Sequence, residues 1–306
     1  MMIASICCYF NWNNNKVRKD NYIQFRKNFK HPLITVEICL DKENFFIDDS
    51  IKILANQNNI LWQKERAFNI AIEGLSDKYD KVLWVDTDIL FLNENVMTEL
   101  EDKLDQYDMV QPFDRVYEYE YSERSLNQKT HTSTNRCLNT YGYAKTLLEY
   151  TKTNKIISSN PAFGLAWGIN LSIMPNNCFY DKHILGSNDL LQIQSVTLDV
   201  LNKHFIGKYN NELVRSWINY CKKMPQKTKY DIGYCSGDLE HLYHGDTTDR
   251  GYSIRETILH RHNFNPETDI RISRNGLYEI LNKEMQSDIL KYFENRNIST
   301  YHKRTI

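Results

Sequence analysis

Asp86-Thr87-Asp88 stands directly after the apolar run Lys81–Val85 (KVLWV). Residues two apart on an extended chain project to the same side. Two carboxylates side by side at a strand end repel one another unless a cation sits between or near them. Mg²⁺ or Mn²⁺ held together with a diphosphate suits such a pair, because hard cations take oxygen ligands and phosphates supply the remainder. The alternative is a pair of turn or capping aspartates ahead of Asn93. Other constellations are weaker. His241 and His260-Arg261-His262 suggest a second metal site only if carboxylates at matching positions complete it; without them they read as solvated surface. Cys7 and Cys8 fall inside an apolar run, which makes a nucleophilic role improbable. The chain contains no P-loop, dinucleotide-binding or nucleophile-elbow motif.

The elements that must position the aspartates alternate over the first 111 residues. Ile3–Phe10 (IASICCYF) and Leu33–Leu40 (LITVEICL) read as buried strands, with a short helix over Tyr22–Phe29 between them. Leu61–Leu75 carries apolar residues at helical spacing, Lys81–Val85 is a third buried strand, and Asp105–Gln111 offers another. Strands alternating with helices predict an α/β fold, a mostly parallel central sheet flanked by helices. Ligands bind beyond the carboxyl ends of such strands, where Asp86 and Asp88 lie. Residues 114–160 are rich in Tyr, Ser, Thr and Asn, with a helix-like piece only around Tyr143–Tyr150, and read as a long excursion over the acceptor side. Beyond it, Phe163–Met174 is strand-like, Leu190–His204 looks helical, and Ile232–Gly245 contains a short strand. Leu277, Leu281, Met285, Ile289 and Phe293 mark a C-terminal amphipathic helix.

Across 306 residues, 38 Lys+Arg balance 39 Asp+Glu for a net charge of −1, which removes the electrostatic case for a nucleic-acid or anionic-membrane partner. The most apolar stretch, Lys81–Leu92, carries two aspartates and falls far short of the ~20 residues a spanning helix needs. The N-terminus lacks the basic flank and cleavage site of a signal peptide. Seven scattered cysteines with no paired spacing argue against a zinc ribbon or a disulfide framework, so a cytoplasmic location is expected.

LWQKERAFNIAIEGLSDKYDKVLWVDTDILFLN resembles the nucleotide-sugar region of GT-A-fold glycosyltransferases. GLAWGINLSIM with YDKHILGSNDLL looks like their acceptor-side strand, loop and helix, and YHGDTTDRGYSIRETIL is similar to their C-terminal segment. The three blocks, in order, span roughly residues 1–270. The flavour resembles soluble enzymes related to family 2, found in bacterial surface-glycan clusters and large DNA viruses (host cytoplasm, if viral). The resemblance implies a Rossmann-like GT-A domain over residues 1–270, with a nucleotide-sugar half (1–111) and an acceptor half (112–270). A C-terminal helix and tail follow over 271–306.

It also implies roles. Asp86 would contact the ribose or the metal, Asp88 would ligate Mn²⁺ (or Mg²⁺), and His244 would be the third protein ligand, imidazole suiting Mn²⁺ better. The alternative for His244 is a capping histidine. Arg250 and Arg255 are candidates for the diphosphate, since a guanidinium fork suits phosphate, and one of the two is expected to reach it. Lys64 matches the basic position of the nucleotide helix and would hold a phosphate, or else be a solvated lysine. Asn69 would hydrogen-bond near the nucleotide, or merely cap. Asp189, in GSND at the head of a helix, is the candidate general base, with a helix-dipole cap as its alternative. The loop before it is poorer in Gly than is usual in the family.

The implied activity is hexosyl or deoxyhexosyl transfer from a nucleoside diphosphate sugar, a UDP-sugar foremost, to a glycan hydroxyl, with inversion. Two rivals remain: a nucleotidyltransferase, which needs a Gly-rich loop where NWNNNK stands, and a non-catalytic glycan-binding module.

Overall fold

β1 (Met2–Phe10), β2 (Leu33–Cys39) and β4 (Tyr79–Val85) are near-continuous apolar runs, the composition of strands covered on both faces. In the computed structural model, which describes residues 2–119, 137–197, 210–225, 231–244 and 251–302, they form the middle of a seven-stranded sheet. β1 lies between β2 and β4 and is parallel to both, and β3 (Ser50–Leu54) extends the sheet parallel to β2. On the other side β9 (Ala166–Asn170) runs antiparallel between β4 and β6 (Met109–Gln111), and β10 (Ile232–Tyr234) closes the edge parallel to β6. The expected α/β architecture, a mostly parallel central sheet flanked by helices, is therefore present.

Alternation along β4 divides the core. Val82 and Trp84 pack with Ala67, Phe68 and Ala71 of α2 (Lys64–Glu73). Leu83 and Val85 pack with Tyr22 and Phe25 of α1 (Lys16–Asn28) and with Leu100 and Leu104 of α3 (Val96–Leu104). α1 begins earlier than the apolar pattern indicates, because the Asn15 side chain accepts from the Val17 and Arg18 amides and caps it. At Gly168 a Cβ would sit 2.8 Å and 2.9 Å from the Leu100 and Leu104 methyls, so a larger residue there would force those side chains to shift where α3 lies against β9.

A four-stranded sheet stands beside the first, in the order β5 (Ile89–Phe91), β11 (Asp238–His241), β7 (Arg115–Tyr119) and β8 (Cys137–Tyr141). It corrects the expectation that residues 114–160 are an irregular excursion. β7 pairs antiparallel with β8, Val116 opposite Thr140 and Arg115 opposite Tyr141, and α4 (Tyr143–Thr153) follows; residues 120–136 lie outside the described residues.

A third apolar cluster joins α5 (Asn188–Val196), α6 (Asn211–Cys221), α7 (Tyr252–Arg261), β12 (Ile270–Ile272), β13 (Tyr278–Ile280) and α8 (Lys283–His302). It sets Ile258 and Phe264 against Met285 and Ile289. The helix expected over Leu190–His204 is α5 as far as Val196; residues 198–209 lie outside the described residues. Among the described residues, no helix is long and apolar enough to cross a membrane.

Candidate active site

β4 delivers Asp86 and Asp88 to the carboxyl edge of the sheet and β5 leaves it at once, so the two aspartates sit in a tight connection. The connection is held from both sides. The Asp86 amide donates to the Leu165 carbonyl at the entrance of antiparallel β9 (2.7 Å), and the Leu242 amide donates to the Asp88 carbonyl (2.8 Å). Because β11 pairs with β5 in the register His241↔Ile89, it carries His241 alongside Asp88. Asn21 of α1 donates to the Tyr243 carbonyl (3.1 Å) and ties down the backbone before His244.

The result is a three-residue group. His244 Nε2 lies 3.4 Å from Asp88 Oδ2, His241 Nε2 lies 3.8 Å from Asp88 Oδ1, and the two Nε2 atoms face each other at 3.1 Å. Glu118 Oε1 is 3.3 Å from His241 Nδ1, placed to accept a hydrogen bond from an Nδ1 proton, the tautomer that leaves the lone pair on Nε2. Two imidazole nitrogens and a carboxylate oxygen converge within 4.8 Å of one another. At metal–ligand bonds of about 2.0–2.2 Å, neighbouring ligand atoms stand about 3.0–3.5 Å apart, close to what is seen. The donor set, two imidazoles and a carboxylate, is one that could hold a divalent cation.

His241 is the ligand candidate that sequence reasoning set aside as solvated surface. It is buried, and its carboxylate neighbours Asp88 and Glu118 come from distant segments. The His-x-x-His spacing of His241 and His244 at the close of a strand is the signal that would have found it. His262 likewise has a carboxylate partner, Asp288 of α8 at 2.9 Å, in a surface contact between helices.

The second aspartate of the pair turns elsewhere. Asp86 Oδ1 is 2.9 Å from Lys64 Nζ, and the same ammonium reaches both oxygens of Asp189, at 2.9 Å and 2.8 Å. An ammonium has three protons, and these three contacts use them. Asp86 therefore faces Lys64 rather than the Asp88–His241–His244 group, and Lys64 is committed to carboxylates rather than standing free for a phosphate. Burial opposes the charge on Lys64, but Asp189, Asp86 and Glu65 outweigh it and hold its pKa well above the ordinary lysine value. Burial also pushes Asp189 up from the usual carboxylate range, with Asp86 adding to the rise and Lys64 pulling against it. A more basic carboxylate is a better proton acceptor near neutrality.

Asp189 is seated by a strained loop. Gly186 has φ +98° and Ser187 φ +77°, two left-handed residues in succession ahead of α5, the second of them not glycine. Arg255 donates to the Ser187 hydroxyl, and its Nε lies 3.5 Å from Glu256. A Cβ on Gly186 would come within 3.1 Å of the Arg255 guanidinium. His183, fully buried, accepts the Leu185 amide at Nδ1, so its Nε2 carries the proton and donates to Glu256 (3.1 Å). Behind the loop, a Cβ on Gly164 would come within 3.1 Å of Asp189 Oδ2.

Of the other expected residues, Arg255 is in this loop network, while Arg250 lies outside the described residues. Asn69 corrects its expectation. Its amide donates to the Phe179 carbonyl and to Asp181, and accepts from the Phe179 amide. Buried, with both amide protons and its carbonyl oxygen bonded to residues 179–181, it pins a loop to α2.

No family model matches the chain, and no curated protein does. Solved structures give remote likenesses. A glucosyl-3-phosphoglycerate synthase from Mycobacterium tuberculosis, solved with Mn²⁺, uridine diphosphate and phosphoglyceric acid, is 11% identical at a TM-score of 0.38, covering 88% of this chain and 81% of that one. The galactosyltransferase LgtC with donor and acceptor sugar analogues is 11% identical at 0.29, covering 86% and 96%. A 4-diphosphocytidyl-2C-methyl-D-erythritol synthase from Anaerococcus prevotii is 8% identical at 0.32, covering 96% and 98%. Likenesses this remote carry no weight here; the functional reading rests on the site itself.

Proposed function

We propose that the chain is a metal-dependent glycosyltransferase of GT-A type that moves a sugar from a nucleoside diphosphate sugar to a glycan hydroxyl. The observation that carries the reading is the pair of neighbouring groups at one sheet edge: Asp88–His241–His244, and Asp86–Lys64–Asp189. Asp88, His241 and His244 would hold Mn²⁺, which when bound supplies positive charge for a departing diphosphate. Asp189 takes the proton of the acceptor hydroxyl, with inversion at the sugar carbon. Lys64 keeps Asp189 ionised and aligned, and ties it to Asp86 beside the metal group. Arg255, on α7, donates to Ser187 of the loop that shapes the Asp189 side and is the described candidate for a phosphate contact.

Calorimetric titration of UDP, GDP and dTDP, with and without Mn²⁺, tests this directly. Nucleotide binding that requires Mn²⁺ and is lost in His244→Ala is expected. Sugar binding with no nucleotide or metal dependence would instead fit a glycan-binding module. Product analysis on the matched nucleotide sugar then distinguishes glycosyl from nucleotidyl transfer.

A further inference from the structure

Lys64 and Glu65 open α2, Asn188 and Asp189 open α5, and the two helix starts meet as two rungs. Lys64 bonds Asp189, and Glu65 Oε2 accepts from Asn188 Nδ2 at 2.9 Å. Asn188 also clamps the preceding loop, donating to the His183 carbonyl (2.9 Å) and accepting from its amide (3.3 Å). Glu65 is 3% exposed, and its Oε1 is buried with no hydrogen-bond partner. The nearest cation, Lys64 Nζ, is 3.9 Å from that oxygen and has already spent its three protons on Asp86 and Asp189. One ammonium thus faces three carboxyl groups in a buried place, and the third has no compensating charge.

We propose that Glu65 is a positioning residue that seats Asp189 while it is a neutral carboxylic acid and unseats it when ionised, by drawing Lys64 off the Asp189 rung. The catalytic half of this rests on the reading of Asp189 as base. Burial pushes the Glu65 carboxyl up to about 8 against the pull of Lys64, with Asp189 adding to the rise. The charged and titratable groups facing it are Lys64 on α2, Asp189 on α5, Asp86 at the end of β4 through Lys64, and the Cys8 thiol of β1, itself raised by burial.

Glu65→Gln keeps the shape and the acceptor for Asn188 while removing the ionisation. A carboxyl raised in the folded state contributes stability that is full below its unfolded pKa and is lost as pH rises through the folded one. The melting temperature of Glu65→Gln relative to wild type should therefore climb from pH 5 to pH 9, levelling above about 8. Wild-type transfer should fall above about 8 with donor KM little changed, and Glu65→Gln should keep its rate there. A melting difference that does not vary with pH, or an alkaline fall identical in both proteins, overturns the proposal. The melting arm needs no substrate, so it separates failure of this proposal from failure of the glycosyl-transfer reading. Should Glu65→Gln fold poorly, Glu65→Met, uncharged and of similar length, carries both measurements.

Discussion

Asp88→Asn keeps the side-chain shape and removes one charge from the Asp88–His241–His244 group. Nucleotide-sugar turnover should drop by orders of magnitude while the melting temperature barely moves; unchanged turnover at saturating Mn²⁺ would remove Asp88 from the metal set. His241→Ala and His244→Ala should both weaken Mn²⁺ affinity, and acid should weaken it further, because protons compete for the same nitrogens. If only His244→Ala has an effect, His241 is a supporting residue behind the site. Asp189→Asn should leave nucleotide affinity nearly intact and lower kcat by ~10²–10⁴, the usual worth of acid–base catalysis; a residual rate above about a tenth of wild type would mean that the base lies elsewhere. At this scale the sequence discloses Asp86, Asp88, Lys64, His244 and Asp189 by type and context. It does not disclose which of them meet. That Asp86 turns to Lys64 while Asp88 turns to two histidines depends on β11 coming back beside β5, which local spacing does not encode.

Asn69 makes the point for elements. It links α2 to the loop ahead of α5, and Asn69→Ala should cost about 1–3 kcal/mol for each buried group left unsatisfied, the Phe179 amide and carbonyl first. Nucleotide affinity of the folded variant should be unchanged; a selective loss of affinity with normal melting would restore the nucleotide contact. The apolar strands β1, β2 and β4 are legible in the sequence because burial on both faces leaves a continuous signal. β3 is not, since it lies at a sheet edge with only Ile53 of its five residues buried. α3 buries only Val96, Leu100 and Leu104 among charged neighbours, and α6 buries only Leu213, Ser216 and Trp217. Narrow apolar stripes of this kind read as polar connectors until the packing is seen.

For the molecule as a whole, the segment beyond residue 270 is tied to the start of α2. Gln63, next to Lys64, donates to the Tyr278 carbonyl and accepts its amide, and Asn59 donates to the same carbonyl. Met285, Ile289 and Phe293 of α8 fill the third core. A chain ended at residue 270 would strip that core and leave those polar groups unpaired. It is expected to lack a cooperative thermal transition; a sharp transition near that of the full chain would show residues 1–270 to be self-sufficient.

The place of β9 in the large sheet bears on how the chain is made. β9 is flanked by β4 and β6, both of which precede it in the sequence. As the polypeptide leaves the ribosome, β6 is complete about 60 residues before β9. At synthesis rates of about 5–20 residues per second, that is an interval of about 3–12 s. Throughout it, the hydrogen-bonding edge of β4 just before the two aspartates is open, an apolar ribbon able to pair with another nascent chain. β9 closes that edge on both sides at once, and its arrival also brings Leu165 to the Asp86 amide. The strand that ends the risk of mispairing during synthesis is thus the one that fixes the backbone at the head of the site.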